Sequence, residues 1–431
     1  MPLIIYDFAK QEAEVALNDG MPGLRIQYFR GPVWAKTNEQ LNKQIVEGNN
    51  PITGRPVMQE LVEKLTKPLT AEEKKTGEIK KDKGPITFIG TPDELQKLFL
   101  DKRMTDFMPV ILPTEEKVSE MLKGTSHRPD EALGRMNPGS LAGENWTYTV
   151  KDAAINAVMA GAKPEYFPVI LALGSTGLPA VNVSDNGFMA AAVINGPIRD
   201  EIGLNYEIGA VGPYALANTA IGRAWNLLSI NGGDCGKVGT TYMGTVGNSQ
   251  NALALIIAEN ERDSPFKPLS VRQGFKENQN IVTLFVGWGI LSAKAWKADV
   301  WGPNMNYPQI IKDIVAQTDP MFAPIAVLSP PIARYVADAG YDTVEKFTEW
   351  VTTPAPGAPP AGGAPKAGGA SPDREGPPSG AAIPKTAPAG QRRFSGGGPP
   401  LTVIVTGGSN NNYWCMGAMR PQQMVEIDKW R

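Results

Sequence analysis

The chain has 431 residues, of which 42% are hydrophobic and 20% charged, a composition typical of a globular protein large enough for two or three domains. Its 42 Lys and Arg residues are balanced by 44 Asp and Glu residues, so no net positive field draws it to nucleic acid. Its two cysteines are too few for a disulfide framework, and apolar runs such as "FPVILALG" are much shorter than the roughly 20 residues of a membrane span.

The N-terminal part, residues 1–90, differs in character from the rest of the chain. Its start, "MPLIIYDFAK", has no basic region, long apolar stretch or small-residue cleavage site of a secretory signal. We therefore expect a cytoplasmic protein with no membrane partner. The segment ends in the charged run "LTAEEKKTGEIKKDKG", which is typical of a solvated helix face or a hinge. We predict that it forms an N-terminal arm or small domain.

Residues 91–300 have the pattern of a core α/β domain. Thr91 and Thr114 precede acidic residues and a periodic apolar pattern, so both are predicted to cap helices. "RPDEALGRM" is then predicted to form a helical turn, and "KDAAINAVMAGA" and "KPEYFPVILALGS" to form helices. "MAAAVIN" is typical of a buried strand, and Asn218 is predicted to cap the helix "NTAIGRAWNLLSINGG". "NALALIIAEN" and "NIVTLFVGW" are two further predicted strands.

A second α/β unit is predicted over residues 301–352, completed by residues 401–431. "APIAVLS" is typical of a strand, and Ser329 and Asp342 are predicted to cap the two helices that follow. The Pro- and Gly-rich stretch 353–400 cannot bury enough apolar surface to offset chain entropy, so it is predicted to be a tether. The strand "LTVIVT" and the glycine loop "TGGSNNN" come after it.

These elements predict an α/β or α+β fold with mixed, partly parallel sheets and flanking helices. If "LTVIVT" joins the same sheet as "APIAVLS", the intervening helices make a crossover and the two strands are parallel. Ligands of such sheets bind beyond the carboxyl ends of the strands. "TGGSNNN" would then lie at the binding end of the sheet.

Few residues are suited to metal binding or nucleophilic catalysis. One histidine, His127, and two distant cysteines cannot supply the three or four ligands of a zinc site, so no metal ligand is assigned. A hard-cation site of carboxylates and amides remains open. Cys415 follows a strand and a loop and is the candidate thiol nucleophile, and His127 is the only side chain with an unperturbed pKa near neutrality. The sequence does not identify a cofactor.

The stretch "NGPIRDEIGLNYEIGAVGPYALAN" predicts a wall of a small-molecule pocket, because it places carboxylates, amides and an arginine between apolar segments. Arg199 could hold a carboxylate, and the helix predicted to start at Asn218 would direct its positive end at the same space. Glu201 and Glu259 are the acid–base candidates, which Tyr166 or His127 could assist. The predicted substrate-binding residues are Asn195, Arg199, Asn205, Asn218, Arg223, Asn260, Gly407, Gly408 and Ser409.

Seven strings carry a resemblance to a known family: "MPVILPTEEKVSEML", "RPDEALGRM", "AINAVMAGAKPEYFPVIL", "VINGPIRDEIGLN", "GPYALANTAIGRA", "AENERDSPFKPL" and "VIVTGG". Together they resemble the large, poorly characterised proteins associated with the UGSC (seleno)protein family. The resemblance implies thiol-linked redox chemistry, because the signature of that family is a selenocysteine or cysteine next to Gly-Ser-Cys. This sequence has no such signature, which implies that any redox-active thiol or selenol partner is a separate chain.

The leading hypothesis is an enzyme that acts on a small polar or anionic molecule, by thiol-linked redox chemistry with that separate partner. This hypothesis depends on Cys415 or on a partner thiol. An alternative is a cofactor-free hydrolase or lyase that depends on Glu259. A further alternative is a noncatalytic assembly or binding subunit, in which the tether contacts a neighbouring subunit. We expect a homo-oligomer.

Overall fold

The computed structural model describes the greater part of the chain. The tether predicted over 353–400 lies mostly outside the described residues, as do parts of the charged run 69–84 and of the glycine loop 239–248. The described residues are 3–5, 13, 16–17, 20–33, 36–77, 87–136, 146–181, 187–239, 241–242, 246–296, 305–318, 323–353, 391–394 and 399–431.

Two short parallel strands and a helix are the main elements of the N-terminal segment. Its elements are β1 (Leu3–Ile5), β2 (Gln27–Phe29), α1 (Asn38–Leu41), a π-helical turn (Asn42–Val46) and α2 (Val57–Thr66). The buried carboxylate of Glu60 on α2 accepts hydrogen bonds from Asn50 at 2.6 Å and Thr53 at 2.7 Å. These bonds compensate for the burial of its charge and fix the loop before α2.

The next helices begin where the sequence predicts. They are α3 (Pro92–Asp101) and α4 (Glu115–Leu122), and the side chains of Thr91 and Thr114 accept hydrogen bonds from the first-turn N–H groups of Glu94 and Lys117. Each cap satisfies a donor that has no partner within its helix.

The helical turn predicted for "RPDEALGRM" is wrong. Ala132–Met136 forms strand β3, which pairs antiparallel with β4 (Trp146–Thr149). Leu133 and Met136 are buried, and a Cβ added at Gly134 would lie 2.7 Å from the Gly174 carbonyl oxygen. Close packing on a distant helix thus decides the conformation of this short segment, and its local pattern does not.

The described part of residues 150–233 forms four α-helices, a 3₁₀ turn and one strand of the main sheet. The elements are α5 (Val150–Met159), a 3₁₀ turn (Pro164–Tyr166), α6 (Phe167–Gly174), β5 (Met189–Asn195), α7 (Ile198–Glu201) and α8 (Leu216–Gly233). Asn218 does not cap α8, contrary to the prediction, because the helix begins earlier and Ala215 occupies the cap position. The Asn218 side chain instead accepts from the Asn205 N–H at 2.9 Å and donates to the Ile256 carbonyl at 3.1 Å.

The remaining elements complete the sheet and its second group of helices. Asp342 was predicted to cap a helix, but Thr343 is the cap and Asp342 pairs with Lys346 at 2.7 Å. The elements are a 3₁₀ turn (Ser249–Ala252), β6 (Leu255–Ala258), α9 (Leu269–Arg272), β7 (Ile281–Ser292), a 3₁₀ turn (Ala293–Ala295), α10 (Tyr307–Val315), β8 (Pro324–Leu328), α11 (Pro330–Asp338), α12 (Val344–Thr352), β9 (Gln391–Arg393), β10 (Thr402–Val405), β11 (Trp414–Glu426) and a 3₁₀ turn (Asp428–Trp430).

The protein has an α/β fold with a mixed sheet in the strand order β10-β8-β11-β7-β5-β6, and β9 pairs with β11. The predicted parallel pairing of "LTVIVT" with "APIAVLS" is confirmed, since β10 and β8 are parallel, as are β5 and β6. The pairs β8–β11, β11–β7 and β7–β5 are antiparallel. Strands from residues 91–300 and 301–431 therefore share one sheet, and β9 lies within the stretch predicted as a tether.

The sheet is curled so that its two outer strands meet. The Asn260 N–H donates to the Val405 carbonyl at 2.7 Å, and Thr406 Oγ1 donates to the Ala258 carbonyl at 2.7 Å. We call this junction of residues 258–260 with residues 405–406 the seam. It gives partners to backbone groups of β6 and β10 that would otherwise be free at sheet edges.

Alternate residues of the strands face different surroundings, as the two-residue period of a strand requires. One set forms an inner cluster with members from all six main strands, among them Val193, Ile257, Phe285, Val327 and Ile404. The other set faces outward and packs either on α4, α5, α6 and α8 or on α10, α11 and α12. The curled sheet therefore has a packed interior and two helical coats. In the described residues, no helix is long and apolar enough to cross a membrane.

The seam predicts that replacing two threonines, one in β10 and one directly after it, has different effects on the free energy of unfolding. Thr406→Val removes the donor to the Ala258 carbonyl and is expected to lower the free energy of unfolding by about 1–3 kcal/mol. Thr402→Val is the matched control, because Thr402 Oγ1 is buried and has no hydrogen-bond partner in the described part of the chain. Its removal is expected to leave stability unchanged or to increase it. Guanidinium unfolding measures both, and equal losses would contradict a stabilising seam.

Candidate functional site

The candidate site lies where β5 and β6 end, beside the seam. These parallel strands are in register up to Ile194 and Ala258, so Asn195 and Glu259 follow side by side. The Glu259 N–H donates to the Ile194 carbonyl at 3.1 Å, which extends the pairing by one residue. Both side chains are buried, so their polar atoms require partners within the protein.

The two carboxylate oxygens of Glu259 have different surroundings, and the residue is only 1% exposed. Oε2 accepts hydrogen bonds from Asn195 Nδ2 at 2.6 Å and from the Leu269 N–H at 2.8 Å. Oε1 lies 3.9 Å from Arg272 Nη2, which is too long for a direct hydrogen bond. Burial raises the pKa of Glu259, and the charge of Arg272 and the two hydrogen bonds offset this only in part. One oxygen is anchored, and the other has an ionic partner.

Arg272 links Glu259 to β10. Its Nε donates to the Lys267 carbonyl at 3.0 Å, and its Nη2 donates to the Val403 carbonyl. Burial lowers the pKa of Arg272, and the charge of Glu259 opposes that effect. The guanidinium therefore provides a counter-charge to the carboxylate and a donor to the outer edge of β10.

Asn195 connects the buried carboxylate to a second one that reaches the surface. Its Nδ2 also donates to Glu261 Oε1 at 2.9 Å, and the same oxygen accepts from the Gly196 N–H at 2.9 Å. Asn195 Oδ1 is buried and has no hydrogen-bond partner in the described residues. A buried acceptor of this kind normally binds a donor from ordered water or from a ligand.

Arg199 is held by the chain itself. Its Nε donates to the Gly196 carbonyl at 2.8 Å, its Nη1 donates to the Glu259 carbonyl, and its Nη2 lies 3.0 Å from Glu261 Oε2. The guanidinium also lies 5.0 Å from the centre of the Tyr206 ring. These contacts fix the backbone around Asn195 and Glu259, so Arg199 positions the site through its neighbours.

The predicted glycine loop lies beside these residues. Asn260 Nδ2 donates to the Gly407 carbonyl and to Asp263 Oδ2, both at 3.1 Å, and the Gly407 N–H donates to the Tyr206 carbonyl at 2.9 Å. The exposed Ser409 hydroxyl lies 3.3 Å from Arg334 Nη2. Residues 205–209, 259–263 and 407–409 thus form a rim around the buried carboxylate. We call these three loops the rim.

Gly408 shows why the rim needs glycine. A Cβ added there would lie 2.4 Å from Ile208 Cγ1 and 3.2 Å from the Ile208 backbone nitrogen, so a side chain at position 408 would have to displace the Ile208 side chain. Gly407 has φ +94°, a conformation that side chains disfavour. The glycines therefore permit contact between loops of one chain.

Glu201 and His127 lie apart from Glu259. Both contact residues that follow β11. Glu201 is half-exposed and pairs with Arg431 at 2.6 Å. His127 Nδ1 lies 3.0 Å from the Glu131 carboxylate, and its Nε2 lies 2.7 Å from the Lys429 carbonyl. Because both ring nitrogens face acceptors, the protonated imidazolium satisfies both contacts.

Three further predicted residues connect α8 to its neighbours. The side-chain oxygen of Asn218 accepts from the backbone of Asn205, as described above. Arg223 forms a bidentate pair with Asp106, with both distances at 2.9 Å, and also donates to the Pro109 carbonyl at 2.8 Å. Arg223 thus fastens the loop after α3 to the side of α8.

Tyr166 and both cysteines are buried. Tyr166 packs in the cluster between the sheet and α4, α5, α6 and α8. Cys415 belongs to the inner cluster, and burial raises the pKa of its thiol, which a hydrogen bond with Tyr413 opposes. Burial also raises the pKa of Cys235. A buried neutral thiol is a poor nucleophile, because the thiolate is the reactive form.

Glu261 and Arg272 are the members of the site that the sequence does not single out. Glu261 stands two residues after Glu259 in "AENERD", and its alternate spacing from the end of a strand is a signal that could have found it. Arg272 had no such signal, since its acceptor Val403 is 131 residues away.

The carboxylates of the site pair with arginines. Glu259 faces Arg272, and Glu261 faces Arg199. Among the described residues, no group of three or more His, Cys, Asp or Glu could hold a metal ion. The arrangement is a charge-paired cluster in which Asn195 Oδ1 is buried without a hydrogen-bond partner among the described residues.

Comparisons with known proteins identify no relative of this chain. No protein-family model matches the chain, and comparisons with curated proteins and with solved structures give no match. The relation to the UGSC family therefore stays a prediction.

The Glu259–Arg272 pair predicts a pH-dependent cost of losing the arginine. Arg272→Met should lower the free energy of unfolding by about 3–5 kcal/mol near neutral pH, because a buried carboxylate loses its counter-charge. The raised pKa of Glu259 means that the folded state loses stability as pH rises from the unfolded value towards the folded one. Loss of Arg272 raises the pKa of Glu259 in the folded state further and so widens the interval between its unfolded and folded pKa values. The loss of stability caused by Arg272→Met should therefore shrink below about pH 4.3, the unfolded value, because Glu259 is then protonated in both states.

Guanidinium unfolding at acid and neutral pH measures this difference. The double variant Glu259→Gln with Arg272→Met is the control, since it has no ionisable group at either position. It should recover part of the lost stability and remove the pH dependence. A cost of Arg272→Met that is equal at all pH values would show that Arg272 acts only through its hydrogen bonds.

His127 predicts a second pH effect. Partial burial lowers its pKa, but the hydrogen bonds to the Lys429 carbonyl and Glu131 outweigh this, so the net shift of the pKa is upward. Its contribution to stability is therefore complete below about pH 6.5, the unfolded value, and is lost as pH rises through the folded value. Since the chain has one histidine, a single imidazole resonance reports the titration. Glu131→Gln should lower the midpoint, and a wild-type midpoint below the unfolded value would refute the assignment.

Proposed function

We propose that the protein is an enzyme that acts on a small polar or anionic molecule by carboxylate acid–base chemistry, as a hydrolase or lyase without a cofactor. The observation that carries the proposal is the asymmetry of Glu259, with Oε2 anchored by two donors and Oε1 free of direct hydrogen bonds among the described residues. A positioned carboxyl group whose pKa is raised by burial can accept and return a proton near neutral pH.

Asn195 supplies the second element of the proposed site. Its amide nitrogen holds Glu259 and Glu261, which leaves its unpartnered oxygen to accept a hydrogen bond from a substrate N–H or O–H group. The oxygen lies on the same side chain that orients the carboxylate, so a bound group would be placed next to Glu259. Such placement is a large part of catalytic rate enhancement.

Substrate would approach from the rim. Glu259 and Asn195 are enclosed, whereas the Glu261 side chain is 18% exposed and leads outward to residues 262 and 263. Arg262 is exposed and pairs with Glu207 and Asp263, and Arg334 lies beside Ser409. Guanidinium, carboxylate and hydroxyl groups at an entrance favour polar molecules that can pair with them.

In the proposed reaction, Glu259 Oε1 takes a proton from the substrate or from a substrate-bound water and later returns it to the leaving group. Asn195 Nδ2 and the Leu269 N–H hold Oε2 throughout, which keeps the carboxylate in one orientation. Arg272 stabilises the ionised form. The enclosed position excludes bulk water and strengthens these electrostatic effects.

Carboxylate chemistry is favoured over a thiol mechanism by the state of Cys415. Its side chain is 8% exposed, and burial raises the pKa of its thiol. A redox step would need a thiolate that a partner can reach. The carboxylate proposal has no such requirement.

The test begins with native mass spectrometry of the full chain, before and after denaturation. We expect a small molecule that is retained natively and released on unfolding, and that is missing from Asn195→Ala. Thermal unfolding with inorganic phosphate, malonate or succinate, each at about 10 mM, then tests for binding, because a ligand of the folded state raises the melting temperature. Equal retention or equal shifts in wild type and Asn195→Ala would contradict binding at this site.

Variants of the acid–base group distinguish the mechanisms. With the substrate class identified in this way, Glu259→Gln should lower kcat by roughly 10²–10⁴-fold, while the glutamine oxygen still accepts from Asn195 and Leu269. Cys415→Ser is the matched control and should leave kcat unchanged. Activity that survives Glu259→Gln but is lost in Cys415→Ser would overturn the proposal in favour of thiol chemistry.

A further inference from the structure

A set of exposed apolar side chains begins within the rim, at Ile208, and includes residues outside it. Six large side chains on two loops and the start of α8 are each at least 43% exposed, and Tyr214 is fully exposed. We call this set the apolar face. Its members are Phe107, Met108, Ile208, Val211, Tyr214 and Leu216.

One of the two loops, residues 106–109, is fastened to one surface of α8. Asp106 and Pro109, which flank Phe107 and Met108, both accept hydrogen bonds from Arg223. Leu216 and Arg223 are seven residues apart on the helix, which is about two turns, so they lie on the same face. The 106–109 loop and the helix start therefore lie on the same face of α8, roughly 10 Å apart along its axis.

The other end of the apolar face lies beside the candidate site. Ile208 packs so closely on Gly408 that an added Cβ would be 2.4 Å from its Cγ1. The Gly407 N–H donates to the Tyr206 carbonyl at 2.9 Å in the same region. The apolar face thus extends from α8 to the rim.

Two of its aromatic residues are held in an unfavourable backbone conformation. Phe107 has φ 64° and Tyr214 has φ 67°, in the left-handed region that residues with a Cβ avoid. Both project into solvent, where an isolated chain gains nothing from them. Strain of this kind is retained where the surrounding structure needs the side chain in that place, and binding sites are the usual reason.

We propose that the apolar face is the contact between two copies of this chain in a symmetric dimer. A large apolar or aromatic side chain has on the order of 200 Å² of surface, so these six expose roughly 800 Å² together. A stable dimer interface needs about 800 Å² from each partner. Exposed apolar patches of this size are uncommon on monomeric proteins.

The charge of the surface also fits a second copy. Arg223, which holds the loop that carries Phe107 and Met108, is neutralised by its bidentate contact with Asp106. An apolar surface without net charge is complementary to itself, as a two-fold contact requires. A partner recognised by charge would find no complementary field here.

Sedimentation velocity of the full chain tests the proposal. Wild type should be a dimer at micromolar concentration, and Tyr214→Glu should raise the dissociation constant at least about tenfold, because it places a charge in the apolar contact. Leu65→Glu is the matched control, since Leu65 is 65% exposed on α2 and outside the apolar face. It should leave the dimer intact.

A second variant separates loss of the contact from loss of the fold. Phe107→Ser should weaken the dimer as Tyr214→Glu does, while circular dichroism shows an unchanged fold for both. A wild-type chain that is monomeric at on the order of 100 µM would overturn the proposal, whatever else binds this surface. A dimer that persists in both variants would also overturn it, since the interface would then lie elsewhere.

Discussion

The hydrogen bonds at the seam bring the two ends of the curled sheet together at the candidate site. β6 and β10 are at opposite ends of the strand order, and Asn260 and Thr406 bridge them, while Arg272 adds a further hydrogen bond to β10. This contact places the loop after β10 against the loop after β6. It also encloses Glu259 between the strand ends, which gives its carboxyl group a raised pKa. An open sheet of the same strands would leave these residues in water.

The order of helices and strands could largely be predicted, because caps and apolar periodicity are local signals. Thr91 and Thr114 illustrate this. The central strand β11 could not be predicted, since Pro421 lacks the N–H group that a sheet requires. In the structure, the pairing of β11 with β7 shifts register between Pro421 and Gln423, and β8 pairs only as far as Ala418. The proline thus lies at an irregularity that only the tertiary structure defines.

The site could be predicted only where it depends on strand ends. Asn195 ends a strand that the sequence indicates, Glu259 and Asn260 follow another, and the structure places the three together. The orientation of Arg199 towards its own backbone could not be predicted, because it depends on the position of Glu261. Arg272 depends on a strand far along the chain. The sequence therefore indicates which residues stand at the ends of strands. It does not indicate which charged side chains pair, because those pairs form only when the sheet has closed.

The position of β11 has a consequence for biosynthesis. β7 ends at Ser292 and β8 at Leu328, but the strand that joins them begins at Trp414. While the chain emerges from the ribosome, β7 and β8 each present an unpaired edge for the time needed to translate the residues up to β11. Such edges recruit other strands. The edges of β7 and β8 that face β11 in the folded protein are therefore exposed to aggregation with other strands until β11 has been made.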